Sequence, residues 1–257
     1  MGMEYIYETH LHTVEASACA SMPGEEYPSY MKSLGYSGIF VTDHFFTGNS
    51  CVPRNLPWEK RVEQYYSGYE HAKAAAGPDF TVLFGIEYNF QGDEFLLYGV
   101  TKEWLLDNPD IEGFSRKQLY ESVHSAGGIM IQAHPYRERG YLSAIHLTPD
   151  VSDGIEVYNA ANPDWQNALG YEYALERGFL MAGGSDIHNY SLDNMGGMSF
   201  PYPIHTVEEY VNAFMNGDGT PVFRRDIHDN ATFFRPVAEE PKLMVTKAKS
   251  TLEVIWH

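Results

Sequence analysis

The stretch Tyr5-Ile6-Tyr7-Glu8-Thr9-His10-Leu11-His12 reads as a β-strand that ends in two histidines. Side chains alternate along a strand, so His10 and His12 face the same way, with Glu8 below them on that side. Further short runs of apolar and aromatic residues, each bounded by Gly, Pro, Asn or Asp, fall at 38–43, 81–88, 95–100, 128–134, 154–158 and 179–184. Helical stretches are expected between them, at 25–34, 59–76, 115–126, 163–177 and 206–216. Ser115, with Gln118 three residues on, opens one helix and Gly127 closes it; Gly77-Pro78 closes another. Strands alternating with helices imply βα units around a parallel sheet. Seven such strands without a dinucleotide-binding glycine fingerprint imply an α/β fold closed into a distorted barrel, taken as one domain over 1–257. The run at 95–100 follows its predecessor too closely for an intervening helix, so the barrel should be irregular there. Residues from about 230 onward read as a peripheral extension.

The informative feature is where the ionisable residues fall. The strand at 5–12 ends in His10 and His12, the next in Asp43-His44, the third in Gly85-Ile86-Glu87. The run at 128–134 ends in Ala133-His134, and the one at 179–184 leads into Ser185-Asp186-Ile187-His188. In a parallel barrel the carboxyl ends of the strands share one face, where active sites assemble. Imidazoles and carboxylates in that number suit zinc, manganese or iron, and can hold more than one ion.

Composition narrows the alternatives. The 257 residues are 44% hydrophobic, enough for a large core, and carry 35 acidic against 17 basic residues, a formal net charge of -18. Such acidity argues against long nucleic acid as a partner, because phosphate backbones are gripped by basic patches. It leaves room for a small phosphorylated substrate, since bound cations reverse the local field. No apolar window is long enough to span a bilayer and the first residues lack a secretory signal, so a cytoplasmic protein with no membrane partner is expected. Cys19 and Cys51 are read as free thiols, and without a Cys-x-x-Cys no thiolate zinc site is expected.

The motifs Thr9-His10-Leu11-His12-Thr13, Val41-Thr42-Asp43-His44, Gly85-Ile86-Glu87, Ala133-His134-Pro135 and Gly184-Ser185-Asp186-Ile187-His188 together resemble the polymerase-and-histidinol-phosphatase (PHP) family. They span residues 9–188 in that family's order. The resemblance implies a distorted, TIM-like (β/α)7 barrel with two or three divalent metal ions that hydrolyses phosphate esters. It implies that His10, His12, Glu87 and Asp186 hold a first ion, that Glu87 bridges to a second bound by His134, and that His44 and His188 bind a third. Two departures stand out. The family's acid or histidine soon after the opening motif is replaced by Ser17 and Ala18, which leaves Glu15 as the nearest substitute. The histidine usual after the fourth strand is missing, since 99–102 reads Gly-Val-Thr-Lys; Glu156 and Asn159 are the fallback contributors.

The expected chemistry is hydrolysis of a phosphate monoester, with Asp186 taking or orienting the proton of water and Arg137 binding the phosphate, Arg139 being the backup for that role. Asp43 would orient a ligand from behind. A phosphodiesterase or exonuclease acting on short nucleotides shares that chemistry. An amidohydrolase-like enzyme is less favoured because the candidate strands lack a lysine, and a non-catalytic metal-binding module because the ligand set is nearly complete. The remaining histidines, His71, His124, His146, His205, His228 and His257, read as ordinary, and the sequences at 45–58, 136–149 and 189–205 as loops that shape the pocket.

Overall fold

The computed structural model describes residues 5–90, 92–240 and 249–257. Twelve strands occur among them: β1 (Tyr5–Glu8), β2 (Gly38–Val41), β3 (Thr81–Phe90), β4 (Asp93–Tyr98), β5 (Ile129–Ala133), β6 (Ala144–Leu147), β7 (Gly154–Asn159), β8 (Leu180–Gly184), β9 (Met195–Phe200), β10 (Thr220–Arg224), β11 (Arg235–Pro236) and β12 (Glu253–Trp256). The helices are α1 (Tyr27–Ser33), α2 (Trp58–Ala75), α3 (Lys102–Asp107), α4 (Arg116–Ser125), α5 (Asp164–Arg177) and α6 (Val207–Met215). Ser115 and Gln118 do form a capping box on α4, and Thr206 with Glu209 forms another on α6.

Ten strands form one sheet in the order β11-β10-β9-β1-β2-β3-β4-β5-β7-β8. β1, β2 and β3 are parallel, as are β5, β7 and β8. β4 runs against both of its neighbours, with Glu87 opposite Leu96 and Glu94 opposite Ala133. The sheet curls until β8 packs against β9 and β10. At the carboxyl end, backbone bonds from Asp186 N to His10 O and from His12 N to Ile187 O, each 2.9 Å, join the segments that follow β1 and β8. The result is the α/β, TIM-like barrel expected, distorted by the reversed fourth strand.

Alternation along the strands sorts the barrel interior into a dry floor and a polar mouth. Leu83 and Glu87 share a face of β3; Glu94, Leu96 and Tyr98 share a face of β4. Their inner apolar members pack with Tyr7, Phe40, Ile131 and Met198, and α6 closes the floor with Tyr210, whose ring lies 4.5 Å from Phe40 and 5.0 Å from Tyr98. Each of these fully buried side chains contributes about 1.5–3 kcal/mol. That reserve holds the barrel together around a mouth filled with buried charge. The larger cluster lies outside the sheet, between β1–β5 and helices α1–α4.

Two stretches expected to be loops contain strands. β6 lies within 136–149 and pairs in parallel with β12, apart from the main sheet. β9 lies within 189–205, and its Met-Gly-Gly-Met sequence hides the strand pattern for a physical reason. A β-carbon on Gly196 would sit 2.3 Å from the carbonyl oxygen of Gly184, so β9 can approach β8 only without one. Residues beyond 230 supply β11 on β10 and, at 249–257, the β12 strap on β6.

Candidate metal centre

Every strand-end motif named from the sequence reaches the same mouth. His10 and His12 lie after β1, His44 after β2, Glu87 within β3, His134 after β5, and Asp186 and His188 after β8. All are buried except His44 and His188, which are partly exposed at the rim. Two of them, His134 (φ 27°) and Asp186 (φ 58°), hold left-handed backbone conformations that cost a non-glycine residue on the order of 1–3 kcal/mol. Surrounding bonds impose that geometry: His134 N donates to Glu156 Oε2 at 2.9 Å, and Asp186 N to His10 O.

The polar atoms of these residues converge without satisfying one another. His10 Nε2 is 3.1 Å from Glu87 Oε1 and 3.5 Å from Asp186 Oδ1; His12 Nε2 is 3.0 Å from Asp186 Oδ1 and 3.4 Å from Glu87 Oε2. His44 Nδ1 is 2.6 Å from Glu87 Oε2. Yet His10 Nε2, His12 Nε2, His44 Nδ1, Glu87 Oε2 and Asp186 Oδ1 are all buried with no aligned hydrogen bond. Buried polar atoms are ordinarily paired. Lone pairs that converge on shared space and find no donor are what a set of cation ligands looks like. Charge points the same way, because the carboxylates of Glu87, Glu94, Glu156 and Asp186 all act on the guanidinium of Arg137 and outnumber the two arginines of the mouth.

For three of the imidazoles the far side fixes the tautomer. His10 Nδ1 lies 2.9 Å from Glu156 Oε1, His12 Nδ1 3.1 Å from Ser17 Oγ, and His188 Nδ1 2.8 Å from the carbonyl of Asp186. Each Nδ1 therefore carries the proton and donates it, which leaves Nε2 with its lone pair for the mouth. Burial disfavours charge on His10, but Asp186, Glu156 and Glu87 outweigh it and hold the imidazole well above its ordinary value. His12 goes the other way, because burial is joined by repulsion from His188 and His44. Glu87 and Asp186 stay well below the carboxylate range despite burial, held there by His10 and His44 in the first case and by Arg137 and His10 in the second. Glu8 is a structural acid. It accepts from His10 N and Ser185 N, both at 2.8 Å, and burial pushes it up to about 7.

Glu15 is not part of this arrangement, which corrects the expectation that it would complete the third ion position. Its carboxylate accepts from Gly24 N at 3.2 Å and pairs with His71 Nδ1 at 2.8 Å, so the loop turns it toward α2 and away from His44 and His188. His71 is accordingly not idle. Nor is His146, whose Nδ1 lies 2.6 Å from Nε2 of His257 across the β6–β12 pair. The residue that faces His44 and His188 is Cys19, on the same wall of the cavity. Burial would raise its thiol, but hydrogen bonds with His188 and His44 prevail and bring it down to about 6.

The missing histidine has a counterpart too, at the other end of its strand. Because β4 runs backwards, residues 99–102 lie at the floor and its start lies at the mouth. Glu94 there reaches within 3.5 Å of His134 Nε2, which also bonds Glu87 Oε1 at 3.0 Å. Glu156 acts from behind instead, on His10 and His134 N, while Asn159 Nδ2 donates to it at 3.1 Å. Asp43 also works from behind, through a relay. Its oxygens accept from Thr13 N, Thr13 Oγ1 and Ser17 Oγ, each at 2.6 Å, and Ser17 Oγ in turn receives His12 Nδ1 and His44 N. These bonds all run to the loop, so Asp43 positions His12 from outside the cavity lining.

Arg137 lies across the mouth. Its Nη1 is 2.5 Å from Asp186 Oδ2, Nη2 donates to Asn159 Oδ1 and Nε to Asn162 Oδ1, both at 2.8 Å. With Arg139, Tyr141, Asn89, His188 and Cys19 it lines an open cavity of about 810 Å³ above the cluster. The role of Glu156 gives a direct expectation. Glutamine at 156 keeps an acceptor on one side only, for His10 Nδ1 or for His134 N and Asn159 Nδ2, and turns a donor on the other. Metal affinity should fall about 10–100-fold in the Glu156→Gln variant, read by competition with a chromogenic chelator. An unchanged affinity would show that these bonds do not orient the ligands.

No sequence-family profile and no characterised protein matches the chain. Solved structures do. One is a two-domain protein from Bacteroides vulgatus containing a predicted PHP-like metal-dependent phosphoesterase, at 15% identity and a TM-score of 0.61, covering 86% of this chain; the chain spans 65% of that protein's length. PsfC from Pseudomonas syringae superposes at 14% identity and a TM-score of 0.57, over 95% of each chain. The lesion-specific endonuclease PfuEndoQ from Pyrococcus furiosus does so at 14% identity and 0.50, over 83% of this chain and 56% of its own. At such identities the likeness is one of fold.

Proposed function

We propose that this chain is a metal-dependent phosphoesterase acting on small phosphate monoesters, with two or three divalent ions of zinc, manganese or iron in the cluster. The observation that carries the reading is the convergence of five buried, unpaired ligand atoms under a cavity walled by two arginines. His10, His12, Glu87 and Asp186 would hold a first ion, and Glu87, His134 and Glu94 a second. His44 and His188 would take part in a third. Ions bound there polarise phosphoryl oxygens and acidify water.

The chain's own groups supply the rest. Arg137, splayed between Asn159, Asn162 and Asp186, presents a guanidinium of fixed orientation to a phosphoryl oxygen. Asp186 Oδ1, free of hydrogen bonds, is placed to orient a water, while the charge of Arg137 makes its carboxylate a poor proton acceptor. A cavity of about 810 Å³ fits a small molecule, and the net charge of -18 disfavours a long polyanion. No described helix is long and apolar enough to cross a membrane.

The test is an assay of aryl phosphate mono- and diesters, with bound metals measured on the purified protein. Monoester turnover should be abolished by chelation and restored by manganese or zinc. Arg137→Ala should raise KM about 10–100-fold, the worth of a charge-assisted hydrogen bond, with a smaller effect on kcat. A protein that binds no metal, or whose turnover ignores chelation, overturns the reading. Faster cleavage of the diester would move the substrate class toward that of the endonuclease relative.

A further inference from the structure

The sequence offers no residue of the usual kind for the third ion position, and the structure turns Glu15 away from it. What stands there is a thiol. Cys19 sits in the loop between β1 and α1, and that loop is fastened on both sides of it. Ala18 N donates to Asn49 O at 2.9 Å, in the segment that follows His44, and Ser21 N donates to His188 O at 2.9 Å. The two neighbours thus place Cys19 between the backbone segments that carry the two histidines. Its side chain lines the same cavity wall as both rings. Cys51, the other thiol, faces the opposite way, toward the carbonyls of Val14 and Glu15.

A cysteine beside two histidines proves little alone. A second observation points to an ion. The ligand nitrogens of His12, His44 and His188 lie within 4.8 Å of one another, with ring centroids 4.2 Å apart for His12–His44 and His12–His188. Fully buried His12 has Nε2 aimed into this group with no hydrogen-bond partner. Three imidazoles gathered this closely repel when protonated and gain nothing from one another when neutral. A cation between them removes the conflict, and a thiolate opposite supplies the anionic charge that the missing carboxylate would have given. Thiolate with imidazole is a ligand set suited to zinc or ferrous iron rather than magnesium.

We propose that Cys19 is a metal ligand, and that its thiolate with His44 and His188 forms a sulfur-containing ion position within the cluster. The proposal rests on the metal-dependent reading above. It makes that position chemically distinct from the nitrogen- and oxygen-lined positions around Glu87, with a preference for softer ions and a sensitivity to thiol oxidants that those positions lack.

Cobalt(II) titration of the full chain, followed by absorption and by bound-metal analysis, tests it without reference to turnover. The native protein should develop the near-ultraviolet sulfur-to-cobalt charge-transfer band together with the visible ligand-field bands. Cys19→Ser should lose the charge-transfer band and one ion per chain while keeping the visible bands of the remaining ions. Cys51→Ser should behave as native, and Cys19→His should regain the ion without the band. Cobalt bound to the native protein with no charge-transfer band, or a band that survives Cys19→Ser, overturns the assignment and leaves the phosphoesterase reading standing. Failure of the native protein to bind cobalt at all overturns both.

Discussion

Alanine at position 87 should abolish turnover, by at least about 10³-fold against an aryl phosphate, and strip the protein of more than one ion. Glu87 is the hub of the mouth. His10, His12, His44 and His134 all come within 2.6–3.4 Å of its two oxygens. It is almost completely buried, so no water can take the place of its charge. Losing any single imidazole would cost one ligand, whereas losing this carboxylate removes the anion that several ligands share. Glu87→Gln separates charge from shape, because it fills the same space with a neutral amide. If it also loses its ions while circular dichroism reports a native fold, the effect is electrostatic. Retention of the full metal complement in Glu87→Ala would show that the converging atoms are not ligands.

The second large effect is on folding. A β-carbon at Gly184 would stand 2.6 Å from Cβ of His10 and 2.9 Å from Glu156 Oε1. Neither neighbour is free to yield, since His10 is held by Glu156 and Glu156 also holds His134 N. Gly184→Val should therefore destabilise by about 1–3 kcal/mol or more through overpacking, seen as a lowered Tm. It should weaken metal binding as well, because the clash falls on His10 and on the Glu156 carboxylate that holds it. At Gly77 nothing lies within 4 Å of the added carbon, and Gly77→Ala serves as the neutral control. Equal Tm values for the two variants would show that the close packing of β8 against the β1 loop is not required.

Most of the candidate metal centre is legible in the sequence because the residues that converge there stand at strand ends, where the local pattern places them on one face. His10, His12, His44, Glu87, His134, Asp186 and His188 all reach one mouth for that reason. The errors have a common physical cause, in that direction and loop path are not written in local sequence. The short gap between the third and fourth strands excluded a helix and so already implied a hairpin. A hairpin reverses the strand, which moves the residue of interest from the end, at 99–102, to the start, at Glu94. Glu15 is nearest along the chain, but the loop's turn at Thr13, fixed by Asp43, directs Glu15 outward and brings Cys19 to the cavity wall beside the histidines. β9 was hidden because its glycines answer to the backbone of β8 rather than to strand propensity.

The pairing of β6 with β12 has a thermodynamic consequence for recognition. The stretch that carries Arg137, Arg139 and Tyr141 would, as an open loop, have to be ordered whenever a ligand arrived, at a cost of about 1–2 kcal/mol for each residue fixed. Instead residues 250–257 fasten it from outside. Ser250 Oγ and Thr251 N donate to Glu138 Oε1 at 2.9 and 2.7 Å, β12 lies alongside β6, and His257 N donates to Leu147 O at 2.9 Å. That ordering entropy is met once, during folding, and would not be met again by a molecule entering the cavity. The arginine wall is thus preset, and its order is supplied by a segment that lines no part of the cavity.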